Sequence, residues 1–155
     1  MLVESVAIAK YFARMDRSKG LLGESSIDEA NIDKWLFWGQ TSVVPTFGKV
    51  LAPMFGWATV DPKDHQEACK TVKDLARQVN NALEGKEFLV GSKVTLADYA
   101  VAALFFMYMQ VLLEKNFRKS IPLFEAWFAR IAPDKFFTQR FGKAHFCERT
   151  CKVGK

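Results

Sequence analysis

Residues 95–113 read Thr95-Leu96-Ala97-Asp98-Tyr99-Ala100-Val101-Ala102-Ala103-Leu104-Phe105-Phe106-Met107-Tyr108-Met109-Gln110-Val111-Leu112-Leu113. After Asp98 the stretch carries no charge, and its apolar side chains are spread all round a helix rather than along one stripe. Such a helix belongs at the centre of a bundle. Its start is encoded too. Thr95 suits an N-cap, and the Asp98 carboxylate, three residues on, can reach back to the Thr95 amide in a capping box with Asp in the usual place of Glu. Val94 and Tyr99 occupy the two positions of a hydrophobic staple. Ala97, Ala100, Ala102 and Ala103 are small enough to let neighbouring helices approach closely. Asp98 is also the carboxylate that most invites a catalytic reading, since this position should be partly buried. Its capping role explains it without chemistry, and its loss should cost what a lost cap costs, about 0.5–2 kcal/mol.

Outward from this helix, Phe88-Leu89-Val90-Gly91 is a short apolar tether. Before it, Val72, Leu75, Ala76, Val79 and Leu83 recur at helical spacing, with Lys70, Lys73, Asp74, Arg77, Asn80 and Glu84 on the other face. Asp61-Pro62 supplies the start of that helix and Gly85 its stop. Further upstream a helix begins at Ser25 or Ser26, with Asp28 and Glu29 where carboxylates suit the positive end of the dipole. Ile32, Trp35, Leu36 and Val43 form its apolar stripe. Pro45 and Pro53 predict that it bends or ends, leaving Gly48 to Trp57 as broken helix and loop. The chain opens with a short helix, Glu4 to Met15, whose apolar face is Val6, Ile8, Ala9 and Phe12; a loop from Asp16 to Gly23 follows. Downstream, Pro122 to Ile131 places Phe124, Trp127, Phe128 and Ile131 on one stripe, Pro133 stops it, and Phe136 to Phe141 makes a last short helix. No alternating pattern of strands competes. The fold class is all-α, a bundle of five to six helices.

Composition sets the outer bounds. With 155 residues, half of them hydrophobic, the chain has globular composition and the length of one domain. Fourteen Phe and four Trp need a sizeable core or a partner to cover them. The formal charge is +5, and Arg140, Lys143, Arg149, Lys152 and Lys155 face only Glu148 late in the chain. A basic tail of this kind suits RNA, a membrane surface or acidic protein, or is simply a solvated lead into a linker. No aromatic-interleaved RNA-binding motif accompanies it, so nucleic-acid contact stays secondary. Cys69, Cys147 and Cys151 are an odd set without framework spacing, which fits a reducing, cytoplasmic setting. The longest apolar run, Tyr99 to Met109, is too short to span a bilayer, which takes about 20 residues.

Three stretches then resemble a known family. Phe88-Leu89-Val90-Gly91 followed by Thr95-Leu96-Ala97-Asp98 is similar to the entry into the central helix of glutathione-transferase C-terminal domains. Trp35-Leu36-Phe37-Trp38, Val43-Val44-Pro45 and Leu51-Ala52-Pro53 resemble a pattern of the gamma subunits of translation elongation factor 1. Phe117-Arg118-Lys119-Ser120-Ile121-Pro122, Trp127-Phe128 and Lys143 with Glu148 are similar to a second region of that family, so the likeness runs over residues 2 to 150. The resemblance implies a glutathione-transferase-like helical domain at 17–146, preceded at 1–16 by the last helix of a thioredoxin-like domain and followed at 147–155 by a basic tail or the start of a linker. The rest of the thioredoxin-like domain and the large C-terminal domain of gamma subunits lie outside the sequence. A fragment and a natural short form both remain open.

What the resemblance implies for chemistry is limited. Glu4-Ser5 resembles the pair that holds the γ-glutamyl end of glutathione, where a hydroxyl and free helix-start amides suit a carboxylate and a glutamate suits an ammonium. The simpler reading is a helix cap, since a pocket without its upstream walls cannot bury a ligand well. Glutathione is therefore expected only with the upstream domain present, and no catalytic residue is assigned. His145, Cys147 and Cys151 have metal-ligand chemistry and the cysteines would share a helix face, but a fourth ligand is missing and His65 is remote; no metal is assigned. Cys69 reads as an ordinary packed or partly exposed residue. Trp35 reads as core, whereas Trp38, off the stripe, and Trp57, in a loop, are open to dock another chain. The resulting expectation is a non-catalytic scaffold of the elongation factor 1B complex. It would bind the exchange-factor subunit and, through it, the elongation factor 1A GTPase, with self-association a further expectation. A glutathione transferase fragment and a docking domain beside an aminoacyl-tRNA synthetase are the alternatives.

Overall fold

The computed structural model describes residues 1–153; Lys155 of the basic tail lies outside the described residues. Among them there is no β-strand. The helices are α1 (Ser5–Met15), α2 (Ser26–Trp38), α3 (Phe47–Met54), α4 (Pro62–Ala82), α5 (Leu96–Val111), α6 (Lys115–Arg118), α7 (Pro122–Ile131) and α8 (Lys135–Phe141). None of them is long and apolar enough to cross a membrane.

Local chemistry fixes the ends. The Ser25 hydroxyl accepts from the Asp28 amide at 3.2 Å while the Asp28 carboxylate accepts from the Glu24 and Ser25 amides at 3.1 Å each. The Ser25 hydroxyl foremost, then those amides, hold the Asp28 carboxyl below the ordinary carboxylate range. Gly23 makes this possible: it adopts φ 76°, and a Cβ there would lie 2.3 Å from Asp28 Cβ. Asp61 caps α4 through the Lys63 amide at 2.8 Å, and Gly85 follows it at φ 69°.

Helix α5 is the axis of the bundle. Ala97, Val101, Ala102, Phe105, Tyr108 and Met109 are fully buried, as a helix without a polar face must be. Phe105 is the centre of an aromatic group, with ring centroids 5.1 Å from Phe124, 6.1 Å from Tyr108 and 6.5 Å from Trp38. Burying one such ring stabilises by about 1.5–3 kcal/mol. The hydroxyl of buried Thr46 donates to Val43 O at 2.6 Å, so its contact with Tyr108 Oη at 2.6 Å is a hydrogen bond donated by the tyrosine. Burial pushes the Tyr108 hydroxyl far above its ordinary value. The chain passes close to α5 at Gly39, where a Cβ would meet Leu104 Cδ1 at 2.5 Å and the end of that half-buried side chain would have to shift.

Several expectations change. The chain does not break at Pro45: α2 continues through a π-helical turn, Gly39–Val43, and a 3₁₀ turn, Val44–Thr46, directly into α3, which contains Pro53. Pro45 falls in the first turn of the 3₁₀ element, where a missing amide is tolerated, whereas Pro53 lies inside α3 and has no amide for Lys49 O, which accepts from His65 Nδ1 at 2.8 Å instead. Gly48 to Met54 is thus helix, and the loop begins at Phe55. Phe12, expected on the inner face of α1, is exposed; Ala13 is the buried residue of that helix. Short α6 has no counterpart in the sequence reading.

The C-terminal stretch is exposed from Glu148 to Val153, yet it is anchored to the bundle. Residues 142–153 are not helical, so Cys147 and Cys151 do not share a helix face. The Cys147 amide donates to Met109 O at 3.0 Å and the Cys151 amide to Val111 O at 2.7 Å, meeting carbonyls that the last turn of α5 leaves free. Buried Arg118 donates to Cys147 O at 2.7 Å and to Leu113 O, and pairs with Glu125 at 2.8 Å. Phe146 packs on Phe128 with centroids 5.7 Å apart.

Candidate functional site

Asp98 sits at the junction of three segments. One carboxylate oxygen accepts from the Thr95 amide at 2.8 Å and the Thr95 hydroxyl at 3.0 Å. The other accepts from the Leu89 amide at 2.9 Å and Trp127 Nε1 at 2.9 Å. A carboxylate has about four acceptor positions, and all four are taken. With no exposed surface, it has neither a free lone pair nor a path to substrate. Asp98 therefore does more than cap α5: it ties the Phe88–Gly91 tether and α7 to the start of the central helix. The Leu89 and Trp127 bonds were not legible in the sequence, because both partners are distant in the chain.

Glu4 and Ser5 stand at the start of α1 beside a groove of about 660 Å³ lined by Leu2, Val6, Tyr11, Phe37 and Gln40 among others. Glu4 has φ 70°, the one positive-φ non-glycine residue among those described, and it contributes its carbonyl to the Ile8 amide at 2.9 Å. Its carboxylate makes no capping bond. The simple side-chain cap is thus not formed, and the first amides of α1 are left for water or a ligand. On the far side of the groove, Lys10 pairs with Asp33 at 2.6 Å and Arg14 with Glu29, which stitches α1 to α2. The Arg14 contact foremost holds the Glu29 carboxyl below its ordinary range. The groove can receive an apolar body with a carboxylate near the helix start. Around it, Leu2, Val3, Tyr11, Phe12, Met15 and Phe37 are all more than half exposed.

The remaining candidates separate. Trp35 is buried as expected. Trp38 is not a free docking ring: its centroid lies 5.2 Å from that of Trp35, it stacks on Phe105, and Nε1 donates to Gln78 Oε1 at 3.3 Å. Trp57 is 72% exposed and stacks on Phe55, with centroids 4.9 Å apart. Among the described residues no three His, Cys, Asp or Glu side chains converge into a metal-ligand set, His145, Cys147 and Cys151 included. Cys69 Sγ lies 3.5 Å from His65 Nε2, and burial raises its thiol pKa against the opposing charge of Lys73. Cys147 is raised in the same way, by burial first, with Arg118 opposing. Neither thiol is activated.

Comparison with known proteins places this geometry. The description "Glutathione S-transferase, C-terminal domain" matches residues 34–133. Elongation factor 1-gamma of Prunus avium is 31% identical over 141 residues, which is 91% of this chain and 33% of that protein. A glutathione S-transferase of Emericella nidulans, stcT, is 29% identical over 131 residues, 84% of this chain and 59% of that protein. The chain thus spans about a third of the length of its elongation factor relative. Among solved structures, the glutathione-transferase-like domain of elongation factor 1-gamma from Saccharomyces cerevisiae superposes with a TM-score of 0.87 at 21% identity, over 99% of this chain and 73% of that one. Fold and family agree: an all-helical bundle around a buried central helix, entered through the Thr95–Asp98 cap, belongs to the glutathione S-transferase C-terminal domain family.

Proposed function

We propose that this chain is the helical docking block of an elongation factor 1-gamma-type protein and acts without catalysis. The observation that carries the reading is the likeness to elongation factor 1-gamma proteins, which extends over nearly the whole chain rather than over the shared central helix alone. The site chemistry agrees with it. Among the described residues the one deeply buried carboxylate is saturated by structural bonds, and burial raises the pKa of the half-buried Cys69 and Cys147 thiols. The exposed apolar side of α1 supplies a surface that needs a cover, and an upstream thioredoxin-like unit, of which residues 1–16 are the last helix, fits there. In this reading the chain works in the cytoplasm and holds the exchange-factor subunit of the elongation factor 1B complex, and through it the elongation factor 1A GTPase. The complex serves protein synthesis. Co-purification from cell extract tests it: recovery of the exchange-factor subunit is expected, and tagged chain that repeatedly returns without it overturns the reading.

A second reading has its own support. The likeness to stcT and the uncapped start of α1 beside Glu4 and Ser5 favour a parent protein that binds glutathione. A version carrying the upstream unit should then be retained on glutathione resin and conjugate glutathione to an electrophile; failure in both removes this reading.

A further inference from the structure

We propose that the groove between α4, the end of α5 and the C-terminal segment is a docking surface for an acidic polypeptide segment. The groove encloses about 470 Å³, with Met54, Cys69 and Leu112 supplying apolar lining and Lys70, Lys73 and Arg77 supplying charge. Those three cations recur at i, i+3 and i+7 and so share one face of α4. Two of them are pre-positioned: Lys73 Nζ lies 5.0 Å and the Arg77 guanidinium carbon 4.9 Å from the centroid of the Phe117 ring. The opposite wall is the anchored C-terminal segment, where Thr150 Oγ1 donates to Leu112 O and to Glu114 Oε2 at 3.1 Å each. Arg149 and Lys152 flank that anchor, and Lys115 pairs with Glu148 at 3.1 Å.

Charge decides the partner. Around the groove the carboxylates Asp74, Glu114 and Glu148 are each already paired, with Arg77, Lys73 and Lys115 respectively. Among the described residues, Lys70, Arg149 and Lys152 are exposed and engaged in no ion pair, so the groove keeps a positive surplus that attracts anions. The lack of an exposed ring distinguishes the kinds of polyanion. A single-stranded nucleic acid binds by stacking its bases on open aromatic faces, and the groove offers none, since Phe117 is buried under Lys73 and Arg77 and the apolar side chains Met54 and Leu112 are buried too. An acidic peptide needs no stacking platform and pairs its carboxylates with the exposed cations. The inference rests on this groove alone and stands or falls separately from the elongation factor reading.

Fluorescence anisotropy of a labelled peptide rich in Glu and Asp with interspersed Leu provides the test, run at about 50 mM and about 200 mM salt, between which exposed charges become strongly screened. The wild-type chain should bind, more weakly at the higher salt. The Lys70→Glu/Lys152→Glu double variant should bind at least about tenfold more weakly while melting like the wild type, and Lys135→Glu at the start of α8 should bind as the wild type does. Absence of binding at low salt, equal losses in the double variant and the α8 control, or tighter binding of a labelled uridine oligonucleotide than of the peptide would each overturn the proposal.

Discussion

Truncating Asp98 to alanine leaves four donors without their acceptor: the Thr95 amide and hydroxyl, the Leu89 amide and Trp127 Nε1. Each hydrogen bond to a charged group is worth about 1.5–3 kcal/mol, so the four together set an upper bound of about 6–12 kcal/mol. The actual loss is smaller. The Thr95 hydroxyl can rotate, and the space vacated by the carboxylate is polar enough for water to re-pair some donors. A loss of about 3–5 kcal/mol follows, larger than the about 0.5–2 kcal/mol of a cap alone. In a domain whose total stability is about 5–15 kcal/mol, that lowers the melting temperature by about 6–20 °C. The assay is urea unfolding of the wild type, Asp98→Ala, Trp127→Phe and the double variant, followed by tryptophan fluorescence and far-UV circular dichroism. Trp127→Phe removes one of the four donors, so the double variant should fall short of the summed single losses by about 1 kcal/mol or more. A single Asp98→Ala loss within about 1 kcal/mol of zero, or strict additivity in the cycle, would refute the picture of Asp98 as a shared anchor.

Gly39→Val should cost about 1–3 kcal/mol by crowding Leu104, and Leu104→Ala in the same chain should restore part of it, measured by urea unfolding. Arg118→Met should destabilise by about 3–5 kcal/mol, because Glu125 and two carbonyls lose a buried cation, and hydrogen exchange at the Cys147 and Cys151 amides should accelerate with it. Burial raises the Glu114 carboxyl, but its own backbone amide, Lys73 and the Thr150 hydroxyl outweigh that and leave it below its unfolded value of 4.5. A lowered folded pKa means stability that is present above the unfolded value and lost as pH falls through the folded one. The melting temperature of Glu114→Gln should therefore drop less than that of the wild type on acidification below about pH 4.5. Trp57→Ala should leave the melting temperature nearly unchanged, whereas Trp38→Ala should lower it markedly, since only the latter removes core stacking.

Much of the scaffold was legible because its signals are local. Ser25 with Asp28, Asp61-Pro62 and Thr95 with Asp98 announce helix starts within one turn, and the spacing from Val72 to Leu83 announces a buried face within three. What escaped was long-range. Nothing near Arg118 says that it is buried, because its partners Glu125 and Cys147 are brought to it by the turn into α7 and by the returning C-terminal segment. Trp38 reads as an outer residue on an ideal helix, but Trp35, Phe105 and Gln78 surround it, since α2 is packed from more than one side. Pro45 and Pro53 look like breaks, but Pro45 opens a 3₁₀ turn, and the carbonyl that Pro53 leaves free is met by His65 from α4. As for the candidate site, Glu4 and Ser5 were found at the right helix start, yet the backbone twist at Glu4 and the groove formed with Phe37 of α2 depend on packing that no local pattern carries.

The way α5 is finished has a consequence for synthesis. Its closing carbonyls at Met109 and Val111 are met by amides that the ribosome delivers only with Cys147 and Cys151. A nascent chain can coil this helix early, but the last turn stays open to water until those late residues emerge and fold back over it. Completion of the innermost element thus waits on one of the outermost, and a product halted near Phe141 would carry a core left unsealed at one end.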